Sequence, residues 1–248
     1  MDKDKFLVRY FKAYQKFSFY ENQLALIEGR NYLLIYAFFD TLVDIKSSYN
    51  VDSGDIAKSL TLLENGVNDF ILCSKQKYRF IIDEYEKSKY NENDIINKYN
   101  ENDIINKFNE NDIINKFNEK ASKLFDEFVI AYTNITKHKN TNIIEEPLIE
   151  FNNFLAHFLN HIKDEKCSVG ESHLFRGCLD IYKDIILDNR LILLSNIDII
   201  NKFLKLRIEE AKRVGKVLND SYIDILNNYK EIAVEFITIN TFCKKDLH

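Results

Sequence analysis

A single proline, Pro147, interrupts 248 residues, and only six glycines accompany it. Glycine and proline are the residues that supply tight turns and stop helices. A chain poor in both seldom reverses direction, so long helices are favoured over a many-stranded sheet. Residues 55–134 hold no proline and one glycine, Gly66. As one helix they would run about 120 Å at 1.5 Å per residue. Breaks are therefore expected, at Gly66 or at the edges of the repeat that fills residues 91–117.

The spacing of apolar residues agrees with helices throughout. Phe6, Tyr10, Tyr14 and Phe17 fall at four- and three-residue steps and form a one-sided stripe. Gly29 interrupts this helix before another at residues 32–45. Residues 50–54 read as a turn in which Asp52 or Ser53 caps the next helix. Residues 136–141 read as a polar loop, and Pro147 sits in the first turn of a helix reaching about Asp164. Ser168 and Glu171 have the spacing of a capping box, which would open a helix to about Asp188. Residues 195–242 make one or two further helices, broken best at Asn219, Asp220 and Ser221. No stretch alternates as a strand would. The expected fold class is all-α: antiparallel helical bundle(s) with a long helix carrying the tandem repeat. The expected organisation is an N-terminal helical region, 1–89, a repeat spacer, 90–119, and a C-terminal helical region, 120–248.

The repeat is one nine-residue unit written three times: NENDIINKY at 91–99, then NENDIINKF at 100–108 and 109–117. Each unit carries two Ile and one aromatic, such as Ile95, Ile96 and Tyr99. Nine residues advance an α-helix by two and a half turns, about 13.5 Å. Successive apolar clusters would then face opposite ways, which is no heptad seam. Six-residue words close to the unit recur at 198–203 (DIINKF) and 224–229 (DILNNY), both inside stretches of helical spacing. The repeat is therefore read as a helical spacer or contact surface whose length is the variable.

Composition limits the classes of function. Formal net charge is −5, which disfavours a whole-protein electrostatic footprint for nucleic acid. Cys73, Cys167, Cys178 and Cys243 show no CxxC spacing, as expected of a reduced, cytoplasmic protein with buried thiols. The most apolar run, residues 32–43, contains Asp40 and is too short to span a bilayer.

Two clusters carry side chains capable of chemistry. His157 and His161 stand four apart on one helix face, with Glu150 and Asp164 near it, but no further clear ligand joins them, so no metal and no cofactor are expected. His173, Arg176, Asp180 and Lys183 step by three, four and three along a second helix, with Glu171 at its start. Their residue types suit an acid/base group beside phosphate-binding cations. The same pattern also describes the wet side of an amphipathic helix. The short word of HEPN-type helical nucleases, Arg, a polar residue, three residues, then His, is begun by Arg30 and Asn31 but ends on Ile35. No phosphate loop, nucleophile elbow, calcium loop or zinc-finger spacing occurs.

The expected function is accordingly that of a non-catalytic helical interaction or regulatory protein with a protein partner or self-association. The alternative is a helical enzyme or toxin acting on RNA or phosphate groups, with His173, Arg176 and Asp180 catalytic and Glu171 and Lys183 binding.

Overall fold

The structure, a computed structural model, describes residues 3–47, 53–79, 115–117, 121–212 and 220–245. Among the described residues every regular element is a helix and there is no strand. The helices are α1 (Lys3–Glu28), α2 (Tyr32–Lys46), α3 (Ser53–Lys77), α4 (Ser122–Lys139), α5 (Glu145–Lys163), α6 (Glu171–Asp188), α7 (Arg190–Ser195), α8 (Ile197–Ala211) and α9 (Asp220–Lys245). The chain divides into two compact units, Met1–Ala121 with Leu155–Val169, and Ser122–Phe154 with Gly170–His248. No helix among the described residues is long and apolar enough to cross a membrane.

In the first unit α1, α2 and α3 pack on one another. The stripe read from the sequence is the reason: Phe6, Tyr10, Tyr14 and Phe17 are all buried. Phe38 of α2 meets Tyr10 and Tyr14 edge-on, with ring centroids 5.5 and 5.3 Å away. Each such side chain contributes about 1.5–3 kcal/mol through burial. The Tyr10 hydroxyl donates to the Phe38 carbonyl at 3.0 Å, so its polar end is satisfied as well. Gly29 ends α1 at φ 80°, a left-handed conformation that glycine adopts without steric cost. Asn31 then caps α2, its side chain accepting from the Leu34 N–H at 3.1 Å. Glu21 is 1% exposed and pairs with Arg30 at 3.1 Å. Burial pushes its carboxyl above the usual range, against the opposing pull of Arg30.

Gly66 does not break the chain as expected. It lies inside α3, where an added Cβ would come within 3.2 Å of Leu34 Cδ2. The missing side chain admits Leu34, so packing rather than punctuation accounts for this glycine.

In the second unit α6 packs against both α4 and α9, and α9 packs against α8. Two local expectations are corrected here. First, α4 continues through most of the supposed loop to Lys139, and the turn falls at Asn140, φ 51°. The polar residues 137–139 suit a helix C-terminus, where cations meet the exposed carbonyls, and Lys139 is held by Asp184 at 2.6 Å. Second, Ser168 does not cap α6. The helix opens after Gly170 at φ 86° with no side-chain cap, and Glu171 is its first residue. The left-handed turn that glycine permits sets the start instead. Other expectations match: Pro147 sits in the first turn of α5, and α9 opens at Asp220. Residues 91–114 lie outside the described residues, so the reading of the repeat as a helical spacer is left there. Only residues 115–117 of it are described, and the Phe117 ring stands edge-on to Phe158 at 5.7 Å.

Candidate functional site

Helix α6 orders its residues by solubility. Leu174, Phe175, Cys178, Leu179, Ile181, Tyr182, Ile185 and Ile186 are buried, which leaves His173, Arg176, Asp180 and Lys183 on the wetter side. Gly177 sits on the packed side, where an added Cβ would lie 2.6 Å from Phe128 Cε2 and 3.4 Å from Glu150 Cβ. Its bare backbone lets α4 and the start of α5 approach α6 closely. That approach delivers Glu150 to His173, one turn away.

His173 Nδ1 and Glu150 Oε2 are 2.6 Å apart, with side chains 15% and 20% exposed. Arg176 Nη2 also lies 3.1 Å from the same nitrogen. One nitrogen cannot donate to a carboxylate and accept from a guanidinium at once. The shorter contact, to a group that only accepts, decides the matter: Nδ1 carries the hydrogen and donates to Glu150, and Arg176 stands beside the pair as a neighbouring cation. Arg176 Nε also reaches the Ser172 carbonyl at 3.4 Å.

Lys183 belongs to a different group. Its Nζ lies 3.7 Å from Asp180 but 2.5 Å from Glu210 of α8. Glu210 also accepts from the Tyr229 hydroxyl at 2.8 Å and from Arg207 at 2.9 Å. Burial alone would raise the Glu210 carboxyl. Hydrogen bonds from Lys183 and Tyr229, with the charges of Lys183 and Arg207, outweigh burial and hold it below the usual carboxylate range. The Tyr229 hydroxyl is pushed up by burial and by Glu210.

The single stripe of the sequence thus separates into two arrangements. His173 and Arg176 gather with Glu150; Lys183, with Asp180 at its edge, gathers with Glu210, Tyr229 and Arg207. Glu171 opens the helix in its first turn. Sequence reasoning missed Glu210, Arg207 and Tyr229 altogether and placed Glu150 with the wrong histidines. Nothing local signals these pairings, because the partners are 23 and 27 residues apart.

Of the histidine pair His157 and His161, the second has a partner in the chain. His161 Nδ1 lies 2.7 Å from the Cys167 carbonyl, and Asp164 Oδ1 accepts from the Lys166 N–H at 3.0 Å. Among the described residues no group of three or more His, Cys, Asp or Glu side chains could hold a metal ion.

A further feature is apolar and also went unnoticed in the sequence. On α8, Ile199, Phe203 and Leu206 face the core, yet Ile197, Leu204 and Ile208 are 70%, 51% and 55% exposed. At 3.6 residues per turn the exposed three fall within about 40° of one another, roughly half a turn from the buried three. Leu187, Leu191 and Leu194, just upstream, are exposed too.

No protein-family model, curated protein or solved structure matches this chain.

Proposed function

We propose that this chain is a non-catalytic helical interaction protein, acting through a protein partner or a second copy, in which the nine-residue repeat serves as a contact surface or spacer set by its number of units. One observation carries the reading. The repeat's core word recurs in α8 and, nearly, in α9, and there the two words pack on each other. Ile199, Phe203, Ile225, Leu226 and Tyr229 are all buried. The rings of Phe203 and Tyr229 meet edge-on at 6.1 Å, and Lys202 pairs with Glu231 at 2.8 Å alongside. In α8 Ile199 and Phe203 of the word bury while Ile200 is half-buried, in α9 Ile225, Leu226 and Tyr229 all bury, and Asn201, Lys202 and Asn227 between them stay exposed, which supports pairing of the word with its own kind.

The test removes one, two and three units and measures thermal stability and self-association of each variant. A helical contact surface turns by about half a turn per unit, so losing one unit is expected to be worse than losing two. A shallow, monotonic dependence, or none, rejects the reading.

A second reading is favoured by the His173–Glu150 pair alone. A carboxylate on Nδ1 leaves Nε2 as the nitrogen that accepts a proton, the arrangement a general base requires. In this reading the chain acts on RNA or phosphate groups, with Arg176 as the anion-binding cation. Incubation with labelled RNA tests it: cleavage lost in both His173→Ala and Glu150→Gln supports it, and no cleavage by the parent protein across several divalent metals removes it.

A further inference from the structure

We infer that the Asn-Lys-aromatic end of the repeat word is a docking motif, and that the partner helix it takes presents an aromatic ring and a glutamate. This rests on the interaction-protein reading and supplies the partner's chemistry.

The described residues hold the motif at 115–117 and at 201–203, Asn-Lys-Phe in both places. Both copies are helical, and both sort their residues alike: the asparagine is exposed and the phenylalanine buried. Phe117 meets Phe158 edge-on, with centroids 5.7 Å apart and planes at 86°, and Phe203 meets Tyr229 at 6.1 Å and 85°. Beside each ring the preceding lysine reaches a carboxylate at 2.8 Å, Lys116 to Glu165 and Lys202 to Glu231. Helix geometry explains the sorting. Successive residues stand about 100° apart round the axis. When the ring enters the receptor, its lysine therefore lies at the rim and the asparagine on the far side, in water.

The two contacts lie in different compact units and use unrelated receptors. Tyr229 closes a near-copy of the word, whereas Phe158 belongs to α5, in the run Phe-Leu-Asn-His. Glu231 follows its ring by two residues and Glu165 by seven. A ring and a glutamate are what the receptors share, so those two groups are what the motif recognises. The buried ring supplies most of the attraction. The ion pair at the rim adds little affinity but selects the partner's charge. In the near-copy at 227–229, Asn228 replaces the lysine and bonds the Asp224 carbonyl of its own helix. The sequence writes the motif again at 106–108 and, with tyrosine, at 97–99. The copies at 115–117 and 201–203 are engaged inside the chain, so the partner falls to the other two.

The probe is a fluorescein-labelled synthetic peptide of residues 222–240, which carries the ring and glutamate of α9. It is titrated into the full-length protein by fluorescence anisotropy, and saturable binding is expected. Tyr229→Ala in the peptide is expected to weaken binding about tenfold or more, and Glu231→Lys severalfold. Tyr99→Ala combined with Phe108→Ala in the protein is expected to cost about as much as losing the peptide's ring. Lys98→Glu combined with Lys107→Glu in the protein is expected to restore binding of the Glu231→Lys peptide. Such a rescue is a gain, which a variant that fails to fold cannot mimic. No binding, binding indifferent to either ring, or a charge reversal that is not rescued overturns the inference. So does equal binding of a Glu-rich peptide that lacks a ring. If the peptide fails while the deletion series keeps its half-turn dependence, only the partner's chemistry is lost. If the series is flat and the peptide still binds, the spacer reading is lost and the docking motif stands.

Discussion

Helices α6 and α8 each have a side that the core does not use, and the two sides differ in kind. That of α6 is polar. His173 is held by Glu150 and Lys183 by Glu210, so these two are tied to neighbouring helices, while Arg176 and Asp180 contact their own helix. That of α8 carries exposed aliphatic residues, Ile197, Leu204 and Ile208, among charges of both signs. A histidine with an arginine and an aspartate draws the eye toward chemistry, whereas three aliphatic residues do not. The contacts reverse that order. Polar groups that find partners within the fold hold helices together, whereas the aliphatic groups on α8 contribute little to the fold and remain in water.

Four substitutions sharpen or break this comparison. The largest effect is expected from Gly177→Val on the packed side of α6. Its first carbon would already meet Phe128, which is fully buried and has nowhere to retreat. Overpacking of this kind costs about 3 kcal/mol, and a fall in the urea midpoint of that order checks it. A nearly unchanged midpoint would show that α6 does not need its close approach.

Next comes Glu210→Gln, expected to cost about 2 kcal/mol at neutral pH, because the substitution removes the closer counter-charge of Lys183 and leaves only the more distant Asp180. The effect should depend on pH. The Glu210 carboxyl is held below its ordinary value in the folded protein. The stability it contributes is therefore present above the unfolded value, about 4.3, and is lost as pH falls through the lower folded value. Urea midpoints of parent and variant should converge in acid. A constant gap would place the effect elsewhere.

A smaller loss, about 1 kcal/mol, is expected for His173→Ala if the His173–Glu150 pair only joins α5 to α6 within its unit. Thermal unfolding measures it. A variant as stable as the parent would shift the pair from a structural role toward the second functional reading.

The smallest effect on stability is expected on the outer face of α8. Ile208→Gln should change the thermal midpoint by no more than about 0.5 kcal/mol allows, since the side chain is 55% exposed. A loss several times larger would mean that Ile208 supports the fold, and the contrast between the two helices would fail.

The helical class was legible in the sequence because it depends on local quantities. Scarce glycine and proline and the spacing of Phe6, Tyr10, Tyr14 and Phe17 required nothing beyond a few turns of chain to interpret. The same holds for Gly29 and the Asp220 boundary. Where one local signal competed with another the reading slipped. Gly66 marks a helix contact and no break, and Gly170 rather than Ser168 sets the start of α6, because a glycine's role depends on what approaches it and on the φ it adopts. The candidate site was legible only in its α6 half. His173, Arg176, Asp180 and Lys183 share a face by helical period, but their partners Glu150, Glu210 and Tyr229 come from other helices, and no spacing rule reaches across the turns between them. The sequence by itself determined which residues could share a helix face. Only tertiary packing decided which faces are covered, which charges are paired and which aliphatic residues stay in water, since burial is a property of the neighbours a helix acquires and not of the helix alone.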